Sequence, residues 1–596
     1  MIFRAFILVC FMAATLAHAQ VKQDTTSNII DKIQDTKASK AIVHSITRRQ
    51  PDTVFNIKSE DLFMPYTGRI IRRIIINHIG FDKNMLDTTR SIKNTVTRIG
   101  NALHSNTKAW VIRDNLFVEE GKPLNPYKLA DNERYLRDLP FILDARITLK
   151  RAGRDSIDVV VTTRDVFSIG ASFSPRSATR YKFKVRDVNL AGWGQQVQFN
   201  GLVQSDRDPP FGPEIIYTKS SVFGSLINLS AGITSLDNGS SYGQENEYAA
   251  YLRLDRPLVS PYSRLAGAFE LSRNWSRNVF LVSDTLFRSY EYDITDFWIG
   301  YNIGINNAFK NRNRHFISVR SFNQEFVGRP TQPIEALNPI YNNKTYVLGQ
   351  FTFFHQNFYK TRYIYGFGRT EDVPYGQTIS LLGGWVKQLN FNRLYVGTDL
   401  ERSVANRKGD FYQYALRTEA YRYKHEFQDI SFLLSASINT RLYVHRRVKL
   451  RQYVRASYTE IFKPTINLPL LLNNDFGVKG LKSDSVRGVK RLGLHAETVF
   501  YTNWKLLGFR FAPLTFSDIA FMSKKNQHVF YNEPYYGIGV GIRTRNENLV
   551  FGTIEARCTF YPRKEDGEYI RLSIRSNLRI KYSGSLVKPP DLIKYN

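Results

Sequence analysis

The chain has almost no cysteine, with Cys10 and Cys558 alone among 596 residues. Cys10 falls inside an N-terminal apolar stretch, and one remaining thiol forms no internal disulfide. No Cys/His spacing supports zinc. Long apolar runs are missing as well. Beyond the first nineteen residues no run approaches the roughly 18 that a membrane-crossing helix needs, so any passage through a bilayer must use strands. The sequence contains no G-x-S-x-G elbow and no G-x-x-x-x-G-K-[ST] loop. Tyr536 to Gly541 carries glycines at a period of two with no helix after them, which reads as a strand with one small-residue face. The ten histidines are scattered. No enzyme and no cofactor or metal site is expected. Negative charge is the scarcer sign, 53 Asp+Glu against 83 Lys+Arg, for a net charge of +30.

What is present points outward. Arg4, the apolar stretch Ala5 to Ala14 and the small-x-small pattern at Ala17, His18 and Ala19 form a secretory signal peptide over residues 1–19. An exported chain meets little nucleic acid, so the basic excess suits anionic lipid headgroups, acidic clients or a solvated lumen. Residues 20–66 are polar and without period, and are expected to be a flexible periplasmic linker.

From Gly68 the texture changes. Arg69 to Asn77 is β-branched and strand-like, Asn106-Thr107 caps a helix over Lys108 to Phe117, and Asn125-Pro126 opens a second helix. Strands follow at Ala145 to Lys150 and Ser156 to Thr163. Residues 67–166 therefore read as a small α+β domain with two helices on a three-stranded sheet, and Leu86 to Ser105 reads as an insertion.

Residues 167–582 lose helical period and alternate like a barrel wall. In the last strand Ile570, Leu572, Ile574, Leu578, Ile580 and Tyr582 share one parity, while Arg571, Ser573, Arg575, Asn577, Arg579 and Lys581 share the other. One face toward lipid and one toward a polar lumen explains both. Tyr181, Phe183 and Val185 against Lys182, Lys184 and Arg186 repeat the pattern at the other end. The roughly 415 residues would supply 16 antiparallel strands at about 26 residues each. Residues 583–596, with Pro589-Pro590, cannot continue the strand and form a C-terminal tail.

Several segments resemble the BamA/TamA superfamily of outer-membrane proteins. Residues 67–166 look like its periplasmic POTRA module. Val486-Arg487-Gly488 resembles its VRG motif on a loop folded into the lumen. Glu497 follows at the spacing of the family's acidic strand residue, and Phe516 to Ala520 resembles its F-x-D-x-G strand. Asn189 to Gly194 resembles its N-L-x-G-x-G turn, and Glu371 to Gly376 its E-D-x-P-x-G segment. The resemblance implies a POTRA-like domain before a barrel in the outer membrane of a Gram-negative bacterium. The function implied is insertion of β-barrel proteins or translocation of polypeptides. Unfolded outer-membrane or secreted clients, outer-membrane lipids and periplasmic or lipoprotein subunits are the implied partners. It also implies an Arg487–Asp518 contact pinning the loop, with Glu497 near it, and a seam between Tyr181–Arg186 and Ile570–Tyr582. A passive or anion-selective channel and an inactive accessory subunit of an assembly machine are the alternatives.

Overall fold

The computed structural model describes residues 57–79 and 105–595, apart from 178, 236–245, 305–311, 407, 446–447, 467–468, 482–485, 507–508, 547–551, 564–568 and 579–584. The signal peptide, most of the linker and insertion, Ile580 and Tyr582 lie outside the described residues.

The chain opens with a two-residue strand, β1 (Ile57–Lys58), and continues into β2 (Ile70–Ile79), α1 (Ala109–Arg113), α2 (Pro126–Asp138), β3 (Ile142–Arg151) and β4 (Ser156–Asp165). Strand β4 is central, parallel to β2 and antiparallel to β3. This is the strand, helix, helix, strand, strand order read from the sequence. Asn125 caps α2 as expected, its Oδ1 accepting the Tyr127 and Lys128 N–H groups at 3.0 and 3.2 Å. Helix α1 is shorter than expected. Its N-cap is Lys108, because the Thr107 N–H and hydroxyl turn instead to Asp165, at 2.7 and 2.8 Å. Leu129, Leu136, Phe141, Ile157 and Val159 form the core, each large side chain contributing about 2 kcal/mol by burial.

The expected linker is structured at its end. Ile57 and Lys58 pair with Lys360 and Tyr359, and Phe63 is buried in the α+β core. The open edge of a barrel strand and one large aromatic anchor this otherwise polar segment.

The wall follows as β5 (Ile169–Ser177), β6 (Arg180–Asp187), β7 (Gln195–Gln204), β8 (Phe211–Lys219), β9 (Asn228–Thr234), β10 (Asn246–Arg256), β11 (Leu265–Arg277), β12 (Glu291–Ile303) and β13 (Arg314–Gly328). Next come β14 (Lys344–Thr361), β15 (Glu371–Gln388), β16 (Phe391–Ala405), β17 (Phe411–Tyr423), β18 (Glu426–Asn439), β19 (Tyr443–His445) and β20 (Val448–Phe462). A small loop hairpin, β21 (Leu470–Leu471) with β22 (Arg487–Gly488), precedes β23 (Lys490–Tyr501), β24 (Lys505–Leu506), β25 (Phe509–Ser523), β26 (Tyr535–Arg545), β27 (Thr553–Phe560) and β28 (Ile570–Leu578).

Sequential wall strands pair antiparallel, β9 pairs with β10, and β28 is followed by β5 in the strand order. Among the described residues this barrel holds twenty strands of seven residues or more, rather than the 16 expected. The allowance per strand was too generous: β15 and β16 are joined by Leu389-Asn390, and β17 and β18 by Lys424-His425. Leu389 and Asn390 both take positive φ (50° and 63°), the geometry of a tight two-residue hairpin.

The wall is inside out relative to a soluble protein. On β13, Arg314, Phe316, Ser318 and Arg320 are buried while Ile317 and Val319 are exposed. On β16, Arg393 and Tyr395 are buried while Leu394 and Val396 are exposed. Apolar side chains outside and charged ones inside suit a wall that meets lipid. Among the described residues no helix is long and apolar enough to cross a membrane.

Candidate functional site

Two features define the site: a lumen lined with charge and filled from within, and a seam beside a docked α+β unit.

The docking surface explains two of the sequence motifs. Asn189 Nδ2 donates to Thr107 Oγ1 at 2.8 Å, and Asn189 Oδ1 accepts the Gly194 N–H at 2.8 Å. Gly192 and Gly194 sit at φ 76° and 64° directly beneath the α+β unit. A Cβ on Gly192 would run into Asn106 O, so only glycine allows this approach. In the second motif Glu371 accepts three successive N–H groups, Ile364, Tyr365 and Gly366, at 2.8 to 2.9 Å. Its neighbour Asp372 receives Arg137 Nε and Nη2 at 2.9 and 2.8 Å. Glu133 bridges Arg137 (2.6 Å) and Lys360 (2.5 Å), and Asp131 meets Arg312 (3.1 Å) and the Ser260 hydroxyl (2.9 Å). Burial alone would raise the Glu133 carboxyl, but Lys360 and Arg137 hold it down at about 2.

The sheet edges of this unit are partly filled from within. Ile71 exchanges backbone bonds with Gly121 and Lys122, and the Ile74 N–H donates to Glu120 at 2.8 Å. On the other side the Ile147 N–H donates to Glu133 at 2.8 Å.

At the barrel end away from this unit, the loop between β20 and β23 folds into the lumen. Leu470, Leu472, Val478 and Leu481 pack with Met522 of β25 and Tyr535 of β26. Glycines make room for it. A Cβ on Gly493 would run into Phe476 O, one on Gly488 would meet Ser523 O at 2.6 Å, and one on Gly537 would meet Val478 at 2.9 Å. The small-residue face read at Tyr536 to Gly541 is thus a seat, with Gly539 lying under the Phe516 ring. Gly493→Ala should lift the loop without straining the strand. Trypsin cleavage after Lys479 in the folded, membrane-embedded protein is expected to quicken severalfold, and an unchanged rate would contradict this seating.

The expected lock residues lie on three strands, Arg487 on β22, Glu497 on β23 and Asp518 on β25. Phe516 and Asp518 share the inward parity of β25, and Asp518 is fully buried. Its carboxylate pairs with His495 Nδ1 and accepts the Lys479 N–H of the loop at 3.3 Å. Val486 packs on the loop's apolar cluster, Gly488 is buried, and Arg487 is exposed on β22 opposite Leu471. The structure therefore builds Asp518 around His495 and a loop backbone group. Glu497 joins a different network, meeting Arg543 at 2.8 Å and Arg557 at 2.7 Å. Glu555 touches the same two arginines at 2.5 Å each. Two carboxylates and two guanidiniums alternate around a square, with Arg557 over the Phe516 ring at 4.6 Å. Sequence reading missed Arg543, Glu555 and Arg557. Their signal was inward parity, shared with Gly539 and Gly541 on β26.

The seam is also shifted by one strand. Strand β28 neighbours β5, and Tyr181, Phe183 and Val185 belong to β6, the second wall strand. Strand β5 was missed because Gly170, Ala171, Ser172 and Ser174 give it little β-propensity. Outward parity holds for Ile570, Leu572 and Ile574, which are 61%, 78% and 59% exposed, while Arg571 reaches inward to Gly480 O of the loop. Leu578 ends β28. The nine strands from β26 through β28 and β5 to β10 run from seven to eleven residues, whereas β11 to β18 run from 13 to 18.

No family model matches the sequence, and no curated protein is similar to it in sequence. Among solved structures, the chain is similar to CdiB from Escherichia coli at 12% identity, covering 94% of this chain and 88% of that one, with a TM-score of 0.39. It is similar to CdiB from Acinetobacter baumannii at 10% identity, covering 92% and 85%, with a TM-score of 0.38. It is also similar to BamA from Haemophilus ducreyi lacking POTRA domains 1–3, at 11% identity, covering 88% and 89%, with a TM-score of 0.32.

Proposed function

We propose that this chain is an outer-membrane β-barrel protein that inserts barrel proteins into that membrane or moves polypeptides across it, with its α+β unit acting as a POTRA-like periplasmic module. The observation that carries the reading is the short wall around the β5–β28 seam. About 9 to 11 residues are needed for a tilted strand to cross the hydrocarbon core. Strands β6, β9 and β27, at eight, seven and eight residues, fall below that, so the bilayer must thin beside the seam. A client strand, whose unpaired backbone lipid cannot satisfy, would meet the lowest barrier there and could pair with an opened seam edge.

The docked unit sits at the barrel mouth where β14 and β15 turn, a position from which clients could be delivered. A passive channel is disfavoured because the lumen holds the β20–β23 loop. Depleting the protein and comparing outer-membrane and secreted proteomes tests the proposal. Wide loss of barrels supports insertion, loss of a secreted protein supports translocation, and unchanged proteomes would refute both.

A further inference from the structure

Residues 583–596 read from sequence as a tail that leaves the wall. The structure places Ser585–Tyr595 inside the barrel. Leu586 N donates to Leu258 O at 2.8 Å, just past the end of β10 on the side of the α+β unit. Leu586 and Val587 pack on Trp298, Phe316 and Phe354. Lys588 then pairs with Asp399 at 3.0 Å and Glu401 at 2.5 Å, midway along β16. Asp591 meets Arg320 at 3.1 Å and accepts from the Tyr346 hydroxyl at 3.0 Å. Tyr595 reaches the opposite end, its hydroxyl donating to Ser431 O at 3.2 Å and its ring packing with the β20–β23 loop. The contacts follow in order from one mouth of the barrel to the other. Eleven extended residues span about 35 Å, comparable with the roughly 30 Å hydrocarbon core.

Much of this hold is on the backbone. Besides Leu586 N, the Lys588 carbonyl accepts from Gln350 Nε2 at 3.3 Å, the Pro590 carbonyl from Arg320 Nη1 at 3.0 Å and the Tyr595 carbonyl from Arg491 Nη2 at 2.5 Å. Ile593 N donates to the Tyr395 hydroxyl at 3.2 Å. Five main-chain groups are thus engaged, four of them by barrel side chains, and main-chain groups are common to every sequence. Some space remains in the lumen beside the tail. A cavity of about 200 Å³ lies beside Ser585–Lys588, lined in part by Gln356, Tyr375, Ser380, Asp399 and Glu401.

We propose that the inner wall formed by β13, β14, β16, β18 and β23 is a binding track for an extended polypeptide, and that the chain's own C-terminal segment is its resident, displaceable occupant. Side chains that bind main-chain groups tolerate different sequences. The Asp399–Glu401 pair favours a basic residue, Arg320 an acidic one, and the two apolar clusters favour aliphatic or aromatic ends. The proposal deepens the polypeptide-handling reading and rests on it for the incoming client, whereas the track is argued from the contacts alone.

The test compares the full chain with one lacking residues 585–596, both in nanodiscs, using a fluorescent twelve-residue peptide of that sequence as the probe. Saturable binding to the shortened chain is expected. Binding to the full chain should be at least about tenfold weaker, because the resident tail occupies the track most of the time. A peptide of shuffled sequence should bind the shortened chain within about tenfold of the probe, or about 1.4 kcal/mol. Absence of saturable binding to a folded, heat-modifiable shortened chain, equal binding to both chains, or binding by the native sequence alone would overturn the proposal. If the shortened chain does not fold, the full-length variant Lys588→Glu with Asp591→Lys reads the same point. It turns both ion pairs repulsive and should bind the probe more tightly than the natural chain; unchanged binding would also overturn the track. Peptide binding together with unchanged proteomes on depletion would remove the proposed function and leave the track standing.

Discussion

Glu497→Ala is expected to destabilise the barrel by about 3–5 kcal/mol, the usual penalty for leaving a buried charge without its partner. Glu497 is buried and bonded to both Arg543 and Arg557, so its loss leaves two guanidiniums facing the single carboxylate of Glu555. Urea unfolding in detergent, followed by heat-modifiability on a gel, measures the effect. Replacing a matched pair, as in Glu497→Leu with Arg543→Met, should cost much less because the remaining Arg557–Glu555 pair stays neutral. A Glu497→Ala variant within about 0.5 kcal/mol of the natural protein, the range of an ordinary surface change, would contradict this account of the network.

Arg137→Ala should have a comparable effect, about 3–5 kcal/mol, at the junction of the α+β unit and the barrel. Arg137 is buried, doubly bonded to Asp372, paired with Glu133, and donates to Ala145 O at 2.9 Å. Its removal strands Asp372 and weakens the hold on Glu133. Burial alone would lower the Arg137 pKa, but Asp372 and Glu133 drive it up, so the guanidinium stays charged. Proteolysis of the N-terminal unit in intact protein is the readout, and faster cleavage is expected. The junction is also acid-sensitive with a definite sign. Glu133 is held near 2 rather than its ordinary 4.5, so its contribution is complete above about 4.5 and is lost as pH falls toward 2. In Arg137→Ala the carboxyl should titrate at higher pH and the unit should loosen earlier on acidification. Identical acid profiles for the two proteins would count against this role for Glu133.

Wall parity was legible because lipid outside and water inside impose opposite chemistry on alternate residues. Ile570, Leu572 and Ile574 needed no tertiary information to be placed outward. The same signal fails where side chains are small, which is why β5 was missed and the seam set one strand too far along. Glycine-containing motifs were visible as turns, yet their purpose was not: Gly192 and Gly194 are required by the approach of another unit. The His495 partner of Asp518 was not visible for a similar reason. A carboxylate in a lumen needs a donor, and His495, directly opposite Asp518 on the adjacent strand, supplies one. Ser585 to Tyr595 carries no period at all, because its residues answer in turn to several strands rather than to one face.

Disulfide-locking β5 to β28, in a chain with Cys558→Ser to leave no competing thiol, tests the central claim most directly. In cells depleted of the natural chain, the oxidised barrel is predicted to fail to restore outer-membrane and secreted proteins, and reduction should recover them. Full restoration by the locked barrel would contradict a seam that opens to clients.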